Sequence, residues 1–112
     1  MPRFYSGDVI LVLFPFKDGI GAKKRPTVVI REDSLDEYLI CQITSKTRSN
    51  EFKGFWVEKE SEEGKKMRLL QDSFINAENY IVVRGIMIDK KIGTCPYIGK
   101  LEMIIDELEE NE

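Results

Sequence analysis

The chain has no histidine, and its 112 residues include only two cysteines, Cys41 and Cys95. The absence of imidazole excludes acid–base catalysis by histidine. The two thiols lie far apart and form no paired spacing, so the chain has too few ordinary ligands for a zinc site. Because Cys41 lies within an apolar run, we expect a buried free thiol there. The sequence therefore favours neither histidine catalysis nor a zinc site.

Long hydrophobic runs are also missing, since no window approaches the ~20 apolar residues that a membrane span requires. The first residues do not show the basic-then-apolar pattern of a signal peptide, which favours a cytoplasmic protein without membrane contact. The composition is 42% hydrophobic and 33% charged, as expected of a folded globular protein. No internal repeat or linker-like segment is visible, so we expect one domain over residues 1–112.

Acidic residues are concentrated toward the carboxyl end. Residues 1–70 hold 13 Lys and Arg against 11 Asp and Glu, whereas residues 71–112 hold 4 against 9. The net charge of −3 therefore divides into +2 and −5. This distribution leaves the amino-terminal part free to present a positive patch to an anionic partner.

Short apolar runs rich in β-branched and aromatic residues, separated by turn signals, predict a mainly β fold. The expected strands are Asp8–Phe14, Thr27–Arg31, Tyr38–Thr44, Phe52–Glu58 and Tyr80–Ile88, the last of them interrupted or bulged near Gly85. Met67–Asp72 is a further strand candidate. The charged run Lys59–Lys66 is expected to be a solvated hairpin loop.

The last segment has a different period. Leu101, Ile104, Ile105 and Leu108 recur at helical spacing with acidic residues between them, which predicts a carboxyl-terminal amphipathic helix. Several short strands closed by one helix suggest a small barrel or a strongly curved sheet.

Three adjacent cations, Lys23, Lys24 and Arg25, precede Pro26 at the entrance of the second predicted strand. Pro26 fixes its own φ and biases Arg25 toward extended backbone, so the guanidinium is held at a strand entrance rather than on a free tail. A rigidly held arginine is a candidate phosphate ligand.

The loop before these cations holds Gly19 and Gly21, and its spacing matches neither the dinucleotide fingerprint nor the P-loop. We therefore expect no nucleotide cofactor. Two interpretations stay open: a mobile loop that folds over an anionic ligand with Lys17 nearby, or an ordinary surface hairpin loop. Phe16 beside the loop is a candidate for stacking against an unpaired base, and so is Trp56. Core packing or a dimer contact is the alternative for Trp56.

A polar cluster closes the third predicted strand and consists of Gln42, Thr44, Ser45, Lys46, Thr47, Arg48, Ser49 and Asn50. Hydroxyls, amides and two cations at a strand end can position a phosphate and a base edge. A turn that is rich in Ser and Asn for backbone reasons is the alternative.

Several short motifs follow one another along the chain. They are Gly7-Asp8, Pro15-Phe16, Lys24-Arg25-Pro26-Thr27-Val28-Val29-Ile30 and Gln42-Ile43-Thr44-Ser45, and then more loosely Asp72-Ser73-Phe74, Asp89-Lys90 and Ile98-Gly99-Lys100-Leu101. In this order the chain resembles the PemK/MazF family of toxin endoribonucleases. The resemblance implies a small SH3-like β-barrel with short helices, a homodimer, metal-independent cleavage of single-stranded RNA, and an antitoxin whose tail occupies the RNA groove.

In that family the arginine of the Arg-Pro step and the threonine closing the third strand are catalytic, and they match Arg25 and Thr44. Many members carry a Ser-Glu-Gln segment in the first loop, which this chain lacks, so Asp18 is only a stand-in for a loop carboxylate acting as base. The candidate RNA-binding residues are Phe16, Lys17, Lys23, Lys24, Gln42, Ser45, Lys46 and Arg48.

Cleavage of RNA without metal or histidine leaves attack of the neighbouring ribose 2′-hydroxyl on phosphorus as the economical route, giving a 2′,3′-cyclic phosphate and a 5′-hydroxyl. Protein groups must then hold the backbone in line and stabilise charge on the non-bridging oxygens. We assign Arg25 as the phosphate clamp and Thr44 as the second donor, and the group that takes the 2′ proton stays open. A non-catalytic small barrel that binds RNA or protein is the alternative function.

Overall fold

The computed structural model describes residues 3–45 and 53–111. Within these residues the chain forms six β-strands and two α-helices. In chain order they are β1 (Asp8–Pro15), β2 (Ala22–Ser34), β3 (Glu37–Thr44), β4 (Gly54–Val57), α1 (Glu62–Met67), β5 (Ser73–Arg84), β6 (Ile88–Thr94) and α2 (Ile98–Glu110). A 3₁₀ turn, Gly85–Met87, joins β5 to β6.

The six strands form one antiparallel sheet in the order β4-β5-β3-β2-β1-β6. The mainly β class is therefore confirmed. In the described part of the chain β4 and β6 are the two edges and do not pair with each other, so the sheet is not a closed barrel. β4 has only four residues, and the chain that follows it forms α1, which packs against β6.

Each face of the sheet carries its own apolar cluster, because neighbouring residues of a strand point to opposite faces. Val28 of β2 packs in the first cluster and Val29 in the second. α1 and α2 cover the first cluster through Met67, Leu101 and Ile105, which are fully buried. The segment before β1 covers part of the second, where the Phe4 ring packs edge-on against Tyr38 at 5.7 Å.

The amphipathic helix is confirmed as α2. Leu101 and Ile105 are fully buried, and Ile104 packs against the same cluster while partly exposed. The Ser6 hydroxyl donates to the Glu102 carboxylate at 2.7 Å and Arg31 pairs with Glu109 at 3.1 Å, so polar contacts also attach this helix to the sheet. Among the described residues no helix has the length and apolar character needed to cross a membrane.

The expected hairpin loop over Lys59–Lys66 is wrong, because this stretch contains α1. The Ser61 hydroxyl accepts the Gly64 N–H at 3.0 Å and caps the helix. Glutamates then lie in the first turn and lysines in the last, which suits the helix dipole. The strand candidate Met67–Asp72 is also wrong, since the helix ends at Met67 and Arg68 takes a left-handed backbone.

The strands near the carboxyl end differ most from the expected ones. β5 begins at Ser73 rather than Tyr80, because Ala77, Glu78 and Asn79 form a bulge: Cys41 lies opposite Tyr80, whereas Gln42 lies opposite Asn76. The expected interruption near Gly85 is present as the 3₁₀ turn, and the chain after it forms β6 as a separate strand. Phe52, in the expected fourth strand, lies outside the described residues.

Candidate functional site

β2 changes its neighbours at Pro26. At Thr27 and Val28 the strand pairs with both β1 and β3, and Thr27 lies opposite Gln42 of β3. From Ala22 to Pro26 it pairs with β1 alone. Because proline has no N–H to give to a neighbouring strand, Pro26 suits a position where the ladder to β3 has ended.

Arg25 and Thr44 lie on the two sides of this break. If the register of β2 and β3 continued for two more residues, Thr44 would lie opposite Arg25. The end of β3 instead pairs with β5 alone, and Thr44 lies opposite Phe74. A cleft opens between the separated strand ends, and both Arg25 and Thr44 line it. Arg25 is exposed and Thr44 is partly buried, so a ligand in the cleft can reach both side chains.

The cleft has a volume of about 690 Å³ and combines apolar residues with cations. The apolar residues that line it are Leu11, Pro26, Ile43, Leu69, Leu70 and Ile92. The cations that line it are Lys23, Lys24, Arg25, Arg68, Lys90 and Lys91. Within residues 3–45 and 53–111, no aspartate or glutamate belongs to this lining. Such a surface attracts an anion that also offers apolar or aromatic groups.

Two of these cations have carboxylate partners beside the cleft. Lys24 pairs with Asp89 at 3.1 Å and Lys91 with Asp8 at 3.0 Å, and Asp8 also accepts the Tyr5 N–H at 2.8 Å. Among the described residues, Lys23, Arg25, Arg68 and Lys90 form no ion pair. The uncompensated positive charge in the cleft therefore comes mainly from these last four residues.

The other candidate residues divide into three groups. Lys23, Lys24 and Ser45 line the cleft together with Arg25 and Thr44. Phe16, Lys17 and Gln42 do not line it: Phe16 and Lys17 lie in the β1–β2 loop, and Gln42 is partly buried where β3 pairs with β2 and β5. The remaining two, Lys46 and Arg48, lie outside the described residues.

The β1–β2 loop forms a hydrogen-bonded turn. Gly21 accepts the Phe16 N–H at 3.1 Å, and Phe16 accepts the Gly19 N–H at 3.0 Å. Both glycines have positive φ, 77° at Gly19 and 81° at Gly21, which explains their presence without reference to a ligand. Asp18 accepts the Ile20 N–H at 2.9 Å and does not line the cleft, so it is poorly placed as a base. That this loop folds over a ligand stays a prediction.

The two aromatic stacking candidates have different surroundings. The Phe16 side chain is 48% exposed and therefore accessible to a base. Trp56 is partly buried in β4, opposite Phe74 of β5, and it does not line the cleft. This position favours packing as the role of Trp56.

Sequence reasoning missed the far side of the cleft. This far side consists of the segment after α1 and of β6. Its lining residues are Arg68, Leu69, Leu70, Gln71, Lys90, Lys91 and Ile92. Because the stretch before Arg68 was expected to be a loop, nothing placed this arginine near Arg25. The signal was present in Ser61 followed by two glutamates, which marks a helix start, and in Lys65 and Lys66, which are typical of a last turn.

Both cysteines lie in the first apolar cluster, as expected for Cys41. Burial raises the pKa of Cys41 to about 12 and that of Cys95 to about 11. Neither thiol is therefore a nucleophile at neutral pH. No three His, Cys, Asp or Glu side chains in the described part of the chain lie close enough together to hold a metal ion.

The fold and the cleft define a small β protein with a groove lined by cations beside a broken strand ladder. A family model described as PemK-like, MazF-like toxin of type II toxin-antitoxin system matches residues 5–103. The chain belongs to this family. No curated protein sequence matched it.

Two solved structures show the same fold at low sequence identity. The crystal structure of MazE-MazF (Form-III) from Deinococcus radiodurans is 12% identical with a TM-score of 0.71, covering 96% of this chain and 96% of its own. The Mycobacterium tuberculosis toxin MazF-mt6 is 13% identical with a TM-score of 0.60, covering 91% of this chain and 96% of its own. The open six-stranded sheet with two helices is thus the MazF fold.

Proposed function

We propose that this protein is the toxin of a type II toxin-antitoxin pair and acts as an endoribonuclease on single-stranded RNA in the cytoplasm. The observation that carries the proposal is the placement of Arg25 and Thr44 on the two sides of the β2–β3 break, in a cationic cleft, in a chain of this family. A strand of RNA supplies the negative charge that the cleft attracts, and its bases suit the apolar part of the lining.

The proposed reaction uses a nucleophile from the substrate. The ribose 2′-hydroxyl loses its proton and attacks the adjacent phosphorus, the P–O5′ bond breaks, and the leaving 5′-oxygen gains a proton. The products are a 2′,3′-cyclic phosphate and a 5′-hydroxyl. The Arg25 guanidinium donates to the non-bridging oxygens, where negative charge increases in the transition state, and the Thr44 hydroxyl is a second donor. A guanidinium is a fork of hydrogen-bond donors with no acceptor, which suits a phosphate clamp and not a base.

Metal independence is part of the proposal. The chain has no histidine, its two thiols are buried, and no carboxylate lines the cleft within the described residues. The carboxylate, imidazole and thiolate groups that commonly hold a divalent cation are therefore absent from the described lining of the cleft.

The partners follow from the same surface. A flexible acidic segment of an antitoxin fits a cleft with six cations and apolar lining, and by occupying it would exclude RNA. We also propose a homodimer, as the family resemblance implies. Exposed apolar side chains such as Leu35 and Ile86, at 92% and 77% exposure, are consistent with a surface that a second subunit covers.

The test is incubation of the purified protein with a long unstructured RNA in EDTA, followed by analysis of the fragment ends. New 5′-hydroxyl and 2′,3′-cyclic phosphate ends are expected. An RNA with deoxyribose at the cleaved position is the matched control and should bind without being cut. Cleavage of that strand would point to water as the nucleophile, and binding without any cleavage of the all-ribose RNA would favour a non-catalytic RNA-binding module.

A further inference from the structure

Arg68 occupies a backbone position that usually belongs to glycine. Its φ of 60° and ψ of 39° are left-handed, and it directly follows the last residue of α1. Its N–H donates to the Lys65 carbonyl at 3.2 Å, and the Leu69 N–H donates to the Gly64 carbonyl at 3.1 Å. This pair of hydrogen bonds is the Schellman motif, in which glycine is preferred because it has no Cβ. An arginine at this point suggests that the side chain has a use of its own.

The backbone at Arg68 is held in place by close packing. A Cβ at Gly93 of β6 would lie 2.5 Å from the Lys66 carbonyl oxygen, so glycine there allows the last turn of α1 to lie directly on the strand. A Cβ at Gly64 would collide with the Glu58 carbonyl. Met67, immediately before Arg68, is fully buried. The base of the arginine side chain is therefore fixed although its charged end is exposed.

Arg68 lines the cleft from the end of α1, outside the sheet. Arg25 reaches it from β2, Lys90 from β6 and Arg68 from the end of α1. Like Arg25, Arg68 has no ion-pair partner among the described residues. The cleft thus presents two unpaired guanidinium groups on separate, rigid elements, and each can bind one phosphate in bidentate fashion.

We propose that Arg68 is a substrate-positioning residue that binds a phosphate of the RNA strand next to the one held by Arg25. The inference rests on the proposed function, since it assigns a second contact to the same substrate. A strand held at two phosphates has its direction and register fixed. The 2′-oxygen can then be kept in line with the breaking bond, which a single contact does not achieve. Arg68 does not touch the reacting atoms in this assignment.

The test uses Arg68→Gly, because glycine adopts positive φ readily and the fold should keep its melting temperature. Binding is measured with an RNA carrying deoxyribose at the cleaved position, so that it does not depend on cleavage. The Kd should rise roughly tenfold or more, as for loss of a charge-assisted hydrogen bond. The slope of log Kd against log salt concentration should fall by about 0.7, the value for one phosphate contact on a single strand. In cleavage assays KM should rise more than kcat falls.

Two further variants complete the experiment. Arg68→Lys keeps the positive charge, so its salt slope should equal that of wild type. Its Kd should lie between those of wild type and Arg68→Gly. Arg84→Ala removes an exposed arginine of β5 outside the cleft and should change neither quantity.

The possible results separate this inference from the proposed function. An unchanged Kd and an unchanged salt slope in Arg68→Gly would overturn the role of Arg68. A raised Kd with an unchanged salt slope would overturn it as well, because it indicates a structural effect without loss of a phosphate contact. If the wild-type protein binds RNA and does not cut it, the endoribonuclease proposal fails while the Arg68 contact is still decided by the binding data. If the wild type binds no RNA, both fail.

Discussion

The two halves of β2, here the stretches on either side of Pro26, differ in burial, in strand pairing and in charge. In Thr27–Ile30 every residue is buried, and the side chains enter both apolar clusters between β1 and β3. In Lys23–Pro26 the strand has β1 as its partner and not β3, and its three cations are exposed. One strand therefore serves as scaffold and as site, with Pro26 as the boundary. Substitutions in Lys23–Arg25 should change the rate of RNA cleavage and leave the free energy of unfolding unchanged. Substitutions in Thr27–Ile30 should change the free energy of unfolding and leave the cleavage rate per folded molecule unchanged.

The largest effect is expected for Arg25→Ala. Removal of one preorganised donor to a charge that forms in the transition state should lower the cleavage rate by roughly a hundredfold to a thousandfold. Because Arg25 is exposed and forms no ion pair within the described residues, the melting temperature should stay within about a degree or two of wild type, as for other surface substitutions. Single-turnover cleavage of a defined RNA and thermal unfolding measure the two quantities.

Arg84→Ala is the matched control for the loss of a surface arginine, and its cleavage rate should equal that of wild type. A wild-type rate in Arg25→Ala would remove this residue from the mechanism. A lower cleavage rate together with a clearly lower melting temperature would mean that Arg25 belongs to the scaffold. The contrast between the two halves of β2 would then disappear.

This contrast shows which parts of the molecule the sequence could predict. The apolar runs of β1, β2 and β3 identified the central strands, since a strand buried on both faces has few polar residues. The helical period of α2 was equally clear. The Arg-Pro step predicted Arg25 at a strand entrance, but β2 already begins at Ala22, so Arg25 lies within the strand where its pairing with β3 has ended.

The far side of the cleft was not predictable in the same way. Its residues come from β6, an edge strand paired with β1, and from the end of α1, which packs against β6 at Gly93. α1 has six residues, too short for a hydrophobic period to be recognised, and the bulge at Ala77 hides the start of β5. Local pattern identifies long elements, whereas contacts between short distant segments depend on the whole fold.

A medium effect is expected at alkaline pH in the buried half. Cys41 lies opposite Val28, and it shares the first apolar cluster with Cys95. Burial raises the pKa of both thiols above the ordinary 9.0, to about 12 and about 11. The folded protein thus keeps protons that the unfolded chain releases. This stabilisation is fully present below pH 9 and is lost as pH rises toward the folded pKa values, by up to about 1.4 kcal/mol per pH unit for each thiol.

Denaturant unfolding at a series of pH values from 8 to about 10.5 measures this loss. Cys41→Val and Cys95→Ala should each flatten the decline relative to wild type, whatever their effect at neutral pH. If both variants follow the wild-type slope, the thiols ionise without unfolding and are not enclosed as the structure indicates. Cleavage activity per folded molecule should be the same in all three proteins at neutral pH, since neither thiol lines the cleft.

The smallest effect is expected at Thr27, the first residue on the buried side of Pro26. Thr27 is fully buried, and its hydroxyl has no hydrogen-bond partner among the described residues. Thr27→Val replaces that hydroxyl by a methyl group of similar size. Because no partner is left unpaired, the free energy of unfolding should rise by about 1 kcal/mol, the cost of a buried polar group without a hydrogen bond.

Thr27→Ser is the matched variant, because it keeps the hydroxyl and loses the buried methyl group. It should lower the free energy of unfolding by about 1 kcal/mol, since a small cavity replaces the methyl. Cleavage should change less than twofold in both variants if Pro26 separates scaffold from site as sharply as the strand pairing suggests. A loss of activity in Thr27→Val at raised stability would instead show that the Thr27 hydroxyl serves the cleft, and the boundary would then lie one residue further along β2.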